Sequence, residues 1–520
     1  MKIVEPNKIF LKVKNKFTKN DILIFFIVFV LGIITNFTFI TTKGISPDAL
    51  SMNNFYWAGE WEISLGRFGI KFIDMLRAGL VNKFLIILMC LLYLALSIML
   101  ITRTFKIKSK VSIFILSMII AVAPQFTETY LFIYCADSYC FAFLMANLAV
   151  FFLSKSKGKK IYNILSIVCT IITCSIYQAY LGVILGLIIL LIISKILNNE
   201  KISSIVKDGL KYIFIVAVGV ILYYIILKII IAIMGISLSA YKGANNLGIE
   251  NIKQLPYTIL RTYIDFHNFF FNDKIINNKY YNRFYLYLIL IIITIIGIIR
   301  NLASKKYSCK IVRVEFLICC IVVFPICVNI MDIIAPMTIT NLLTGIGILT
   351  SIVIIPIVNK GLDNKSLSNI IKWIYIVLTV ILTITFIIEN TFTYMCRQET
   401  YENYYAVINN VYNRATQLEG YTKDKKWLFS YTIEYSPNDL EKANSENNET
   451  WGNFAGMKQN KNFFEKYLGI QIETCSMEEY NSIILTEEFK NMPIYPEDGS
   501  IKIINNIIVV KTSNKIITRY

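Results

Sequence analysis

The chain has 520 residues, 56% of them hydrophobic and 17% charged, with a mean hydropathy of +0.58 and a formal net charge of +18. That balance is too apolar for a soluble enzyme. The basic excess does not point to nucleic acid either, because Lys and Arg are parcelled into short linkers between apolar runs.

Residues 1–20 carry Lys12, Lys14, Lys16 and Lys19 ahead of the run "DILIFFIVFVLGIITNFTFI". A run of about 20 apolar residues matches the bilayer core, and helices satisfy the backbone of such runs in lipid. No small-residue cleavage site follows, so the run over 21–41 reads as a retained span rather than a signal peptide. An outer loop over 41–82 comes next, containing "GISPDALSMNNFYWAGEWEISLGRFG". The second span (83–102) leads to a basic linker over 103–110, and the third and fourth (111–124 and 137–153) enclose "PQFTETYLFIYCAD". After a basic linker over 155–160, the fifth and sixth form a hairpin around "SIYQAYLG". A basic linker over 195–211 precedes the seventh span (212–234), and a long outer loop over 235–282 precedes the eighth. The basic segment 300–313 follows; the ninth and tenth flank 331–337, and the eleventh (373–395) follows the basic stretch 360–372. Linkers rich in Lys and Arg alternate with linkers almost free of them. This is the positive-inside pattern, and it places the N-terminus in the cytoplasm and residues 396–520 outside.

Beyond residue 396 apolar runs shorten and charge density rises. Tyr401, Tyr405, Ile408, Tyr412 and Ala415 recur at helical spacing. "KKWLFSYTIEY" and "SIKIINNIIVVKTS" read as strands, the latter a pair turning at Asn505 and Asn506. The expected fold is an all-α polytopic membrane protein of about eleven transmembrane helices, the bundle running over 21–395. A small extracytoplasmic α/β domain over 396–520 completes it. No internal repeat of the kind that builds many transporters is evident. Most of the eleven cysteines, such as Cys169, Cys174, Cys319 and Cys320, fall within spans as small packing residues. Cys396 and Cys475 lie in the tail, where pairing is open.

Gly-rich nucleotide loops and Cys/His metal spacings are absent, and the single histidine, His267, builds no cluster. Ionisable residues at span ends are costly unless they face a cavity, and so become candidates for function. By the predicted topology Asp48, Arg67, Glu128, Asp137 and Arg261 all fall on the outer side. The aromatics Phe55, Tyr56, Trp57 and Trp61 read either as an interfacial belt or as a platform for a sugar or lipid. Tyr177, Gln178 and Tyr180 occupy a turn between apolar runs. An unpaired buried amide costs about 1–3 kcal/mol, so Gln178 either bonds between helices or lines a polar cavity. These features fit three kinds of protein acting on membrane-borne substrates: a transferase, a transporter or flippase, and a polymerase or ligase. A non-catalytic envelope scaffold is a fourth.

Several patches resemble the bacterial membrane glucosyltransferases of Gtr type II, which modify O-antigens and related surface glycans. They are Asp48 after the first span; Trp61, Gly66 and Arg67 in "W-x-x-x-x-x-G-R"; "YCADS" with Asp137; "YQAY" over 177–180; and "MPIYPEDGSIKIINNIIVVK" over 492–511. The family often carries paired acids after the first span, whereas here Asp48 is followed by Ala49. The resemblance implies a GT-C type bundle and a hexosyltransferase, with a sugar donor carried on polyprenyl phosphate. It also implies a surface glycan or glycolipid acceptor, at the outer face of the bacterial cytoplasmic membrane. On that reading Asp48 is the base for the acceptor hydroxyl, and Arg67 and Arg261 face the departing phosphate. Asp137 or Glu128 stabilises oxocarbenium character or holds a divalent cation. Trp57, Trp61, Tyr177, Gln178 and Tyr180 bind substrate.

Overall fold

The computed structural model describes residues 17–50, 52, 54–156, 159–241, 249–271, 283–304, 309–337, 342–362, 366–431 and 457–515. Lys12, Lys14 and Lys16, parts of the loop 235–282, and the end of "KKWLFSYTIEY" from 432 onward lie outside the described residues. Two compact units emerge. The first comprises Met1–Phe37, Trp57–Tyr130 and Cys135–Asn390, and the second Thr38–Tyr56, Leu131–Tyr134 and Thr391–Tyr520.

In chain order the helices up to the first hairpin are α1 (Lys19–Thr41), α2 (Pro47–Leu50), α3 (Glu60–Ser64), α4 (Ile70–Leu76), α5 (Lys83–Thr104), α6 (Lys110–Ala121), α7 (Pro124–Leu131), α8 (Ala136–Lys155) and α9 (Lys160–Ile176). A 3-10 turn, Gln178–Tyr180, leads into α10 (Leu181–Leu197) and α11 (Ile202–Met234). Then come α12 (Ile249–Phe271), α13 (Phe284–Ser304), α14 (Lys310–Val328), α15 (Met331–Ile334), α16 (Ile354–Gly361) and α17 (Ser366–Thr416). Among the described residues nine helices are long and apolar enough to cross a membrane, with α6 and α7 (Lys110–Leu131) counted as one and the 3-10 turn counted with α10 (Gln178–Leu197), and two further apolar helical segments, Lys160–Ile176 and Ile346–Gly361, are shorter.

In the first unit α8 packs against α5 and α9, and α9 against α11. Ile86, Cys90 and Leu94 on α5 and Ala142, Ala146 and Ala149 on α8 are buried; small residues on α8 bring the neighbouring backbones close. By contrast, Phe214, Ile221 and Ile229 on α11 and Ile295 and Ile299 on α13 stay exposed. Such apolar faces are unfavourable in water and suited to lipid.

Three elements differ from the sequence reading, each for a physical reason. The stretch read as a long outer loop contains the 23-residue helix α12. Lys253, Arg261 and Asp265 interrupt its hydropathy while the helical period persists. The third span breaks after Ala121, and Pro124 opens α7 at the first helical position, where its missing N–H costs nothing. The last span and the tail helix form one 51-residue helix, α17, because neither Pro nor Gly interrupts it when its composition turns polar.

The second unit therefore contains more than the expected stretch 396–520. It takes in the end of α1, the α2 turn and α17 from Thr391 onward. Its sheet has the order β1-β3-β2, with β1 (Lys426–Phe429) parallel to β3 (Ile507–Val510) and β2 (Ile501–Ile504) antiparallel to it. The hairpin turns at Asn505 (φ 48°) and Asn506 (φ 65°), as expected of a two-residue turn with both φ positive. Trp427 and Phe429 pack on Phe464, which follows α18 (Met457–Phe463). Cys396 and Cys475 are separate buried thiols, with Cys475 Sγ donating to Met457 Sδ at 3.8 Å.

Candidate active site

The segment from Leu65 to Gly69 is pinned from two sides within the first unit. Gly66 has φ +82°, a conformation open to glycine at no steric cost. A Cβ there would lie 2.3 Å from Tyr223 Oη and 2.7 Å from Gln178 Nε2. Tyr223 donates to the Gly66 carbonyl at 3.0 Å, and Gln178 donates to the Leu65 carbonyl at 2.9 Å and to Tyr223 Oη at 2.7 Å. The Gly69 amide donates to Ser175 O at 2.7 Å. Gln178 is thus a clamp between elements, one of the two roles its sequence left open.

This clamp aims Arg67. Its guanidinium lies 4.4 Å from the centroid of the Tyr177 ring, and Nη1 donates to Tyr139 Oη at 3.3 Å. The Tyr139 and Tyr177 rings stack at 4.9 Å, and Tyr180 stands 6.5 Å from Tyr139. A guanidinium over an aromatic face keeps its charge while losing part of its water.

Next to this cage is a buried charge cluster. Arg77 bonds Asp74 and lies 3.1 Å (Nε–Oδ2) from Asp137, with all three side chains enclosed. Asp74 also accepts from the Ala58 amide at 2.8 Å, and Arg77 Nη1 donates to Leu80 O at 3.0 Å. Burial raises the Asp74 carboxyl above its usual range, against the opposing pull of the Ala58 amide and Arg77. Asp137 occupies the first turn of α8, where the helix dipole favours an anion. Asp74 and Asp137 thus share the Arg77 cation, and Glu62 adds a further negative charge near Asp74.

The remaining candidates are distributed more widely. Trp57 is exposed and covers Gly79; Trp61 is exposed and meets Tyr241 edge-on at 5.8 Å. Glu128 is half-buried on α7. Arg261 on α12 pairs with Asp265 at 3.4 Å and donates to Pro336 O at 2.7 Å. Asp48 belongs to the second unit, on the α2 turn, which is fixed by the Ser46 hydroxyl bonding Leu131 O at 2.8 Å. Its surface is exposed, yet protein crowds it enough for desolvation to raise its pKa, with nearby Lys458 acting the other way. Among the described residues no three His, Cys, Asp or Glu side chains gather as a metal site.

Sequence reading missed Asp74, Arg77, Tyr139 and Tyr223. The signal for the first two was present: "IDMLRAG" places an acid and a base three residues apart in an apolar stretch just past Gly69. The two tyrosines lie inside spans, where many aromatics are simply packing.

A family model described as Glucosyl transferase GtrII matches residues 38–349, more than half of the chain. Every candidate residue from Asp48 to Arg261 falls within the match, and the tail patch over 492–511 lies beyond it. No curated protein and no solved structure matches the chain.

Proposed function

The chain belongs to the glucosyl transferase GtrII family, and from that premise we propose that it moves a hexose, glucose in the first instance, from a polyprenyl-phosphate carrier to a surface glycan or glycolipid. The reaction takes place on the outer side of the bacterial cytoplasmic membrane, in a bundle of GT-C type. Breaking the bond between the anomeric carbon and the phosphate oxygen releases a phosphate that keeps the electron pair. The acceptor oxygen forms the new bond and gives its proton to a base.

The observation that carries this reading is Arg67 held over Tyr177 and beside Tyr139, in a family of sugar transferases. A preorganised cation of this kind stabilises charge that develops on a leaving phosphate. Asp137 serves through its ion pair with Arg77, sustaining the local field. Asp48 is assigned the acceptor proton. These roles belong to separate units and are tested separately.

A lipid-borne donor draws support from a cavity of about 380 Å³ in the first unit, lined by Phe266, Phe270, Tyr287, Leu290, Phe324 and Phe386 among other apolar groups. That volume lies in the range of about 300–1,000 Å³ usual for ligand sites, and such walls accept hydrocarbon without stranding polar groups. Gln125 also lines it. From neighbouring Phe126 a series of ring contacts runs through Phe143 (5.4 Å) and Tyr180 (6.4 Å) to Tyr177 (6.1 Å), beneath Arg67.

The decisive experiment compares surface glycans by mass with and without the protein, alongside transfer in membranes from polyprenyl-phosphate-linked hexose. Loss of one hexose and transfer from the lipid donor are expected. Unchanged glycans, or transfer from a water-soluble nucleotide sugar alone, would overturn the reading.

A further inference from the structure

Within the second unit, the turn that bears Asp48 is fastened by its backbone. Lys466 Nζ donates to the Ala49 carbonyl at 3.2 Å and to the Met52 carbonyl at 2.8 Å. Ala49 belongs to the α2 turn and its carbonyl also accepts the Met52 amide at 3.3 Å, so the ammonium ties the turn to the residue two places beyond it. At the start of the same segment, the Lys43 and Gly44 amides donate to Gln398 Oε1 at 2.8 and 3.0 Å, and Tyr467 Oη donates to Lys43 O at 3.3 Å. Gly44 is needed there because a Cβ would lie 2.7 Å from the Arg397 backbone. Tyr467 is itself braced by Tyr401 at 4.7 Å and Phe463 at 4.8 Å. Two adjacent residues, Lys466 and Tyr467, thus hold the segment on both sides of Asp48. Ala49 and Leu50 are buried, so the turn has little room to relax.

We infer that Lys466 is a positioning residue for Asp48: the C-terminal part of the chain contributes to transfer by fixing the α2 turn through its carbonyl oxygens. The inference rests on the reading of Asp48 as the acceptor base. Lys466 bonds main-chain oxygens and leaves the carboxylate available, whereas Lys458 is the cation whose charge Asp48 feels. The two lysines therefore have separable effects. Loss of Lys466 misplaces the base, and loss of Lys458 changes its proton affinity.

The test uses the full chain in membranes, with kcat and KM for the lipid-linked donor measured for Lys466→Arg, Lys466→Gln and Lys466→Met. Amounts inserted are matched by quantitative blotting. Arg can still bridge two carbonyls, Gln can reach one, and Met keeps the apolar stem with no donor. The expected order of kcat is wild type, Arg, Gln, Met. The Met variant should fall by about tenfold to a hundredfold, the scale of a small misplacement of a reacting group, while donor KM stays unchanged. Combining Lys466→Met with Asp48→Asn should be no slower than Asp48→Asn alone, since residues acting through one group are non-additive. The acid limb of the pH profile should keep its midpoint in Lys466→Met and move in Lys458→Met. A multiplicative loss in the double variant, or a raised KM with kcat intact, would overturn the assignment while leaving Asp48 as the base. Near-normal transfer by Asp48→Asn would overturn both.

Discussion

Arg77 Nε and Asp137 Oδ2 lie 3.1 Å apart with both side chains fully enclosed, and Asp74 engages the same guanidinium. Removing Arg77 strands two buried carboxylates, whereas neutralising Asp137 leaves Arg77 with Asp74. Breaking a buried pair costs about 3–5 kcal/mol. Arg77→Met should therefore lower the melting temperature in detergent by more than Asp137→Asn does. Equal or reversed shifts would contradict a shared, enclosed cation.

The sequence made the helical bundle legible because hydrocarbon imposes a length and a composition on each crossing. It made the β2–β3 hairpin legible too, because paired asparagines suit a turn with both φ positive. The limits lay where two signals compete. Helix α12 combines a helical period with charges, and α17 keeps its helix while its composition changes. Arg67 and Asp137 stood out as ionisable residues near span ends. Asp74 and Arg77 did not, since a pair three residues apart ordinarily marks a surface helix, and only the packing of α4 shows that this one is enclosed. The chain order also hid the partnership between residues 43–52 and the tail, in which Gln398 and Lys466 bond main-chain groups that no side-chain pattern announces.

Arg67→Ala should lower transfer at least about tenfold with normal insertion, given about 1.5–3 kcal/mol for a hydrogen bond to a charged group. Arg67→Lys should rescue only part of the loss, because an ammonium lacks the planar fork that lies against Tyr177. Steady-state transfer from the lipid-linked donor reads both. Unchanged rates in the Ala variant would reduce Arg67 to a structural partner of the two tyrosines.

The turn beneath Arg67 makes its own prediction. Left-handed backbone costs a non-glycine residue about 1–2 kcal/mol, and at Gly66 a Cβ would also press on Tyr223. Gly66→Ala should destabilise the protein and lower transfer together. Adding Tyr223→Phe removes the closest atom but also the hydroxyl that donates to the Gly66 carbonyl, and it leaves Gln178 Nε2 at 2.7 Å and the unfavourable φ, so stability should not return to the wild-type level. Melting temperatures of the two variants test this, and a wild-type melting temperature for Gly66→Ala would contradict the turn.

Orientation is testable independently of catalysis. The alternation of basic linkers predicts a C-terminal tail on the outer side. A reporter fused there that fluoresces only in the cytoplasm should stay dark, and one that needs the outer compartment should be active. The opposite pattern would remove the outer-face assignment of the reaction.

Asp48 carries the sharpest prediction. Desolvation raises its carboxyl above the usual range and Lys458 restrains the rise. A base must be deprotonated to accept the acceptor proton, so kcat/KM should fall as pH drops through this raised value, above the ordinary carboxylate range near about 4. Lys458→Met removes the restraining charge, and the fall should then begin at still higher pH. Asp48→Asn keeps the shape but accepts no proton. It should cost about 10²–10⁴ in rate and abolish the acid limb that Asp48 causes, with donor binding preserved because the lost step belongs to the acceptor. Rates measured from about pH 4, near the ordinary carboxylate value, up to about pH 9, with donor binding followed in parallel, decide the matter. An acid limb that persists unchanged in Asp48→Asn would assign it to another carboxylate. Weakened donor binding in that variant would move Asp48 from the acceptor step to the donor's.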